Sequence, residues 1–219
     1  KHETEYDLSD AASSGFDADM RGSMEAQIAN VADELAYNAH DLDDGLRAGL
    51  IEPEQLNDLR IWQMLKESVG WDGTHFSEQT RHRIIRRMLG IEIDDVIRAT
   101  GAALERQNGL HSAGDLQRLP YNVVVHSDEI GAMNAELKQF LYAELYRHYR
   151  VVRMAVKAER FITQLFETYV SEPAQLPPTV QSVVESRGIH QAVTDYIAGM
   201  TDRFALQEWQ RLFDPYTRP

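Results

Sequence analysis

The apolar positions of residues 23–48 recur at helical spacing: Ile28, Val31, Ala32, Leu35, Ala39, Leu42 and Leu46. They predict one long helix from about Ser23 to about Ala48, with Ser23 as its cap, Glu25 in its first turn and Gly49 near its end. Pro53 suits the first turn of a shorter helix through EPEQLNDLRIWQMLKESVG, which Gly70 closes. WDGTHF reads as a turn. Ser77 then opens a second long helix, SEQTRHRIIRRMLGIEIDDVIRATGAALERQ, in which Ile84, Ile85, Met88, Leu89, Ile91, Val96 and Ile97 give a mainly apolar side.

Residues 108–135 break this rhythm. Gly, Pro and Asn punctuate a β-branched run at Val123–Val125, the one strand-like stretch, which reads as an extended loop crossing the surface. From Met133 a long helix is expected through LKQFLYAELYRHYRVVRMAVKAERFITQLFETYVSEP, until Pro173, Pro177 and Pro178 stop it. A last helix, HQAVTDYIAGMTDRFALQEWQRLF, precedes DPYTRP. Glycine inside a helix costs about 1 kcal/mol relative to alanine, so Gly199 within this pattern points to close helix packing or to backbone approach to a ligand, packing being the simpler reading. The fold class is all-α: residues 1–21 form a polar arm or loop and residues 22–215 the helical part.

Composition narrows the setting. At 219 residues and 43% hydrophobic, the chain can bury one sizeable core. The absence of cysteine excludes disulfides and thiolate metal sites and fits a reducing cytoplasm. No apolar run reaches the length of a membrane span, so no membrane partner is expected. Opening on Lys1 and a polar KHETEYD stretch, the sequence reads as a piece of a longer chain. With 35 acidic against 22 basic residues and a net charge of −13, it repels nucleic acid as a main partner. Arginines cluster at Arg81, Arg83, Arg86 and Arg87 and again at Arg147, Arg150 and Arg153. These clusters could hold small phosphates; a solvated helix face laced with salt bridges is the simpler reading.

The candidate chemistry lies in the first long helix. Asp33, Tyr37 and Asp41 stand four residues apart, and each such step advances about 400°, so the side chains form one slowly drifting polar stripe. Two carboxylates and a phenol on a mostly buried helix need partners, and metal ions, sugar hydroxyls and phosphates are the usual ones. One helix offers at most two ligands, whereas a catalytic metal needs three or more, and no HExxH or CxxC pattern completes the set. The His40-Asp41 dipeptide does not read as a metal pair, because neighbours on a helix project about 100° apart.

The stretch EAQIANVADELAYNAHDLDDGLRAGL closely resembles the signature of the deoxyguanosinetriphosphate triphosphohydrolase family, in the HD-domain superfamily. LKQFLYAELYRHYRVVRM, DYIAGMTDRFALQEWQRLF and HRIIRRMLGIEIDDVI extend the resemblance over most of residues 20–213. It implies an all-α, HD-domain-type bundle that cleaves a deoxynucleoside triphosphate into deoxynucleoside and triphosphate with a divalent metal such as Mg or Mn. It gives Asp33 the part of the last metal ligand and Tyr37 that of a catalytic tyrosine near the α-phosphate and sugar. Asp41 would receive the 3′-hydroxyl, and, more loosely, Lys138 and Tyr146 would contact the nucleotide and its phosphates.

The family's other ligands, a His and a His-Asp dipeptide, lie upstream. The resemblance therefore implies a C-terminal portion lacking the N-terminal helices that carry most metal ligands, unable to retain the metal and inactive alone. It also implies a homo-oligomer. A non-catalytic helical oligomerisation or regulatory module, and an HD-type phosphohydrolase of another nucleotide, stand as alternatives.

Overall fold

A computed structural model of the chain describes residues 20–107 and 109–217, so most of the polar arm expected over 1–21 lies outside the described residues. Every regular element among the described residues is helical, which makes the fold all-α as expected. None of these helices is long and apolar enough to cross a membrane. The helices gather into two compact units, one ending at His148 and the other starting at Tyr149.

The first unit is built on α1 (Met24–Arg47), a 3-10 turn (Pro53–Leu56), α2 (Arg60–Val69) and α3 (Glu78–Glu105). It continues through α4 (Ala113–Gln117), α5 (Asp128–Phe140) and a π-helical turn (Leu141–Tyr146). The expected caps are present: the Ser23 hydroxyl accepts from the Ala26 amide, and the Ser77 hydroxyl from that of Thr80. Gly70 closes α2 in the left-handed region at φ 64°. Leu42, Ile51, Leu56, Ile61, Trp62, Leu65, Ile84, Met88, Leu137 and Leu141 make up most of the core. Trp71 and Phe76 pack against it around Trp62, the three ring centroids 5.2–6.1 Å apart.

Several boundaries differ from the sequence reading. The helix expected after Pro53 is divided, because the Asn57 and Leu59 amides bond back to Glu54 and Leu56 in 3-10 fashion before α2 begins. The helix expected from Met133 starts earlier, at Asp128, where the Ser127 hydroxyl accepts from the Ile130 amide. It then passes through the π turn and breaks at Arg147 and His148. The Val123–Val125 run is indeed a loop, but Val123 and Val124 are buried rather than on the surface. Its backbone donors would be costly there without partners. The Gln27 side-chain oxygen accepts from the Val123 and Val124 amides at 2.8 and 3.3 Å, and the Thr100 hydroxyl from Val125 at 3.2 Å.

The helix that carries the arginine cluster reverses its polarity halfway. Ile84, Ile85 and Met88 are buried as expected, whereas Ile97 is 65% exposed. Past Met88 the buried positions are Glu92, Asp95 and Thr100, with Ile93 exposed. The arginines mostly serve the fold: buried Arg81 pairs with Asp43, Arg83 donates to the Val69 carbonyl and Arg87 to the Ser68 hydroxyl.

In the second unit, α6 (Tyr149–Ser171), a 3-10 turn (Pro173–Gln175), α7 (Pro178–Arg187), α8 (Ile189–Ala198) and α9 (Asp202–Phe213) surround Leu165, Tyr169, Leu176, Val193 and Ala205. The single last helix expected from His190 is two, α8 and α9, and α7 precedes it where no helix was expected. Gly199 caps the end of α8 instead of packing against a neighbour; a Cβ there would meet only carbonyls of its own helix. The Tyr169 hydroxyl donates to Glu208 at 2.8 Å, and burial foremost, then this bond, raises its pKa.

Gly45, buried on α1, is a close-approach glycine: a Cβ would stand 2.6 Å from Ile51 Cδ1 and 3.4 Å from Leu145 Cδ1. Ile51 and Leu145 are both buried and have little room to give. Gly45→Ala should therefore destabilise the chain by about 1–3 kcal/mol through overpacking, despite alanine's better helix propensity. Gly90→Ala and Gly101→Ala, in the middle of α3 with nothing near a new Cβ, should be neutral or stabilising by up to about 1 kcal/mol. Urea unfolding of the three variants separates these outcomes.

Candidate functional site

The polar stripe of α1 faces solvent. Asp33 and Tyr37 are exposed, Tyr37 to 62%, and Asp41 is half-buried. This corrects the expectation of a mostly buried helix: Leu35, Ala39 and Leu42 are buried, but Ile28 and Ala32 of the same apolar set are exposed. The stripe therefore carries little desolvation cost and is placed to meet something arriving from outside.

Two elements complete it. The Tyr146 hydroxyl donates to the Asp41 carboxylate, joining the end of the π turn to α1. This bond, together with burial and the Asp41 charge, pushes the Tyr146 phenol up to about 12. The charge that Tyr37 would carry if ionised adds to the rise, which places its ring close by. One turn before the π turn, the Lys138 Nζ lies 2.5 Å from Glu34 Oε1 on α1. Lys138 is thus already ion-paired, which sequence reasoning did not anticipate. A phosphate arriving at Lys138 has to compete with Glu34.

The π turn explains why Lys138 and Tyr146 can share a face. Eight residues of regular α-helix rotate about 800°, leaving the two side chains about 80° apart. A π turn absorbs one extra residue, which reduces the net rotation to about 700° and brings them within about 20° of a common line. No sequence signal announces that turn. Leu145, packed where Gly45 lacks a side chain, holds it against α1.

The stripe, Lys138 and Tyr146 thus meet on one surface, with Asp33 about 12 Å along the helix axis from Asp41. That is room for a sugar and a phosphate side by side. Asp41 can accept a hydrogen bond from a sugar hydroxyl, and the Tyr146 oxygen, its own proton held by Asp41, can accept another. His40 is exposed. Among the described residues no group of three His, Asp or Glu side chains could hold a metal ion, so these residues alone do not build a metal centre; Asp33 can supply one ligand.

Comparison with known proteins gives the chain's kinship. Residues 124–211, from the buried loop through α9, match the phosphohydrolase-associated domain. The whole chain is 44% identical to a "deoxyguanosinetriphosphate triphosphohydrolase-like protein" of Geobacter sulfurreducens, covering 57% of that protein. Proteins of the same name from Nitrosomonas europaea and Deinococcus deserti are 43% and 39% identical over 87% and 88% of the chain, each covered to 50%. The chain thus spans little more than half the length of the curated relatives it matches, and corresponds to a C-terminal part of them.

The Tyr146–Asp41 bond is directly testable. Tyr146 should titrate far above the ordinary tyrosine range by carbon NMR of labelled tyrosine, and Asp41→Ala should bring that one resonance back towards 10. An unshifted set of tyrosines in the wild type would contradict the contact.

Proposed function

We propose, for a chain related throughout its length to deoxyguanosinetriphosphate triphosphohydrolase-like proteins, that it forms one wall of the nucleotide cleft of a hydrolase acting on deoxynucleoside triphosphates. The observation that carries this reading is the Asp41–Tyr146 pair beside Tyr37 and Lys138. It supplies two acceptors for a sugar hydroxyl, the Asp41 carboxylate and the Tyr146 oxygen, and, within two helical turns, a phenol and a cation for the phosphates. Asp41 and Tyr146 orient the sugar. Tyr37, exposed and unencumbered by the core, reaches the scissile phosphate. Lys138 exchanges Glu34 for a phosphate oxygen when the nucleotide binds. Asp33 offers a carboxylate to a divalent ion whose remaining ligands are not among the described residues.

A second, compatible reading concerns assembly. Val152 and Val156, one turn apart on α6, are exposed, and covering them would favour a homo-oligomer.

The 219-residue chain should release no triphosphate from dGTP in Mg²⁺ or Mn²⁺, whereas a polypeptide of its relatives' full length should release triphosphate and deoxyguanosine. Asp33→Ala in that longer polypeptide should abolish turnover. Asp41→Ala should weaken nucleotide binding by about 1.5–3 kcal/mol, the worth of a hydrogen bond to a charged group. Tyr146→Phe should cost less, about 0.5–1.5 kcal/mol. Product analysis decides: pyrophosphate in place of triphosphate, or full activity of Asp33→Ala, overturns the reading.

A further inference from the structure

Beneath the Glu34–Lys138 pair lies a set of polar side chains that the proposed cleft does not use. Glu92 on α3 is 0% exposed, and neither of its carboxylate oxygens has a hydrogen-bond partner. Asn134 on α5 is 2% exposed, with both its amide oxygen and nitrogen unpartnered. Asn38 on α1 is 5% exposed, with its amide nitrogen unpartnered. Asn38 follows Glu34 by one turn on α1, and Lys138 follows Asn134 by one turn on α5, so each surface residue stands over a buried one. Glu92 feels both neighbouring helices: Asn134 is close enough to favour its charged form, and Glu34 disfavours it.

An ionised carboxylate in such a place is strongly penalised unless paired. Among the described residues no cation pairs with it. From α1 the facing charge is Glu34, of like sign, and Asn38 is neutral. From α5 Asn134 is neutral, and Lys138 is taken by Glu34. From α2 Arg60 is taken by Glu136, and Lys66 lies 3.2 Å from the Asn57 side-chain oxygen. Among the described residues Glu92 belongs to no group of three His, Asp or Glu side chains that could hold a metal ion. A proton meets the need, because it cancels the charge and turns one oxygen into a donor for the Asn134 amide oxygen. The other oxygen is left to accept from an amide N–H.

We infer that Glu92, Asn134 and Asn38 form a buried proton-binding site at the junction of α1, α3 and α5, with Glu92 held as the neutral acid and hydrogen-bonded to Asn134. Burial foremost, with Glu34 adding to it and Asn134 opposing it, raises the Glu92 pKa to about 7. The folded state therefore holds this proton more tightly than the unfolded chain. The resulting stability is fully present below about pH 4.5 and is lost as pH rises through about 7. The inference goes beyond the proposed function and needs no nucleotide or metal.

Carbon NMR of the 219-residue chain with labelled glutamate carboxyls should show one resonance titrating near pH 7, absent from Glu92→Gln, whose amide mimics the neutral acid. Thermal unfolding should give equal midpoints for wild type and Glu92→Gln at pH 4.5, with the variant several degrees higher at pH 8. If every glutamate titrates in the ordinary carboxylate range, the inference is overturned, whether or not the variants fold. A wild type as stable as Glu92→Gln at pH 8 overturns it as well.

Discussion

The seating of the π turn against the last turns of α1 is the contact on which the candidate site depends. Gly45 leaves a gap in the α1 surface, and Ile51 and Leu145 fill it from two directions. Leu145 belongs to the same turn as Tyr146, so packing one residue into the core delivers the next onto Asp41. The π geometry supplies the extra rotation that aligns Tyr146 with Lys138. A hydrophobic contact of ordinary strength thus fixes a polar arrangement that surface hydrogen bonds could not hold alone, since exposed polar pairs contribute little by themselves.

The second constraint runs through α3. Its first half follows the rule of apolar residues inward; its second half buries Glu92, Asp95 and Thr100 and leaves Ile93 and Ile97 outside. Asp95 and Thr100 earn no packing advantage there. They accept hydrogen bonds from the Ser127 and Val125 amides, and with Gln27 they hold the irregular segment that leads into α5. The register of α5 therefore rests on buried acceptors in α1 and α3. Glu92 has no such backbone donor to satisfy, which sets it apart from its polar neighbours.

Much of this was legible in the chain. Ser23, Ser77 and Gly70 mark helix ends because capping is a local matter between a side chain and the nearest backbone. The all-α class followed from periodicity. The Asp33–Tyr37–Asp41 stripe followed from helical geometry, and its kinship from the length of the surrounding motif. Illegible were the breaks at Arg147 and Gly199, where apolar periodicity continues across a helix end. The sense of burial in α3 was hidden too, because a run containing both isoleucines and acids allows either face to turn inward until its neighbours are known.

The sequence by itself determined that the chain is helical, where α1, α2 and α3 are capped, and which residues of α1 share a face, since these depend on bonds within a few residues. Tertiary structure alone decided that the stripe is exposed, that Asp41 meets Tyr146, that Glu34 neutralises Lys138, and that Glu92 is sealed in without a partner. Each of these joins residues far apart in the chain. Their encounter is set by how helices pack around a glycine gap and a π turn, which no local pattern of residues encodes.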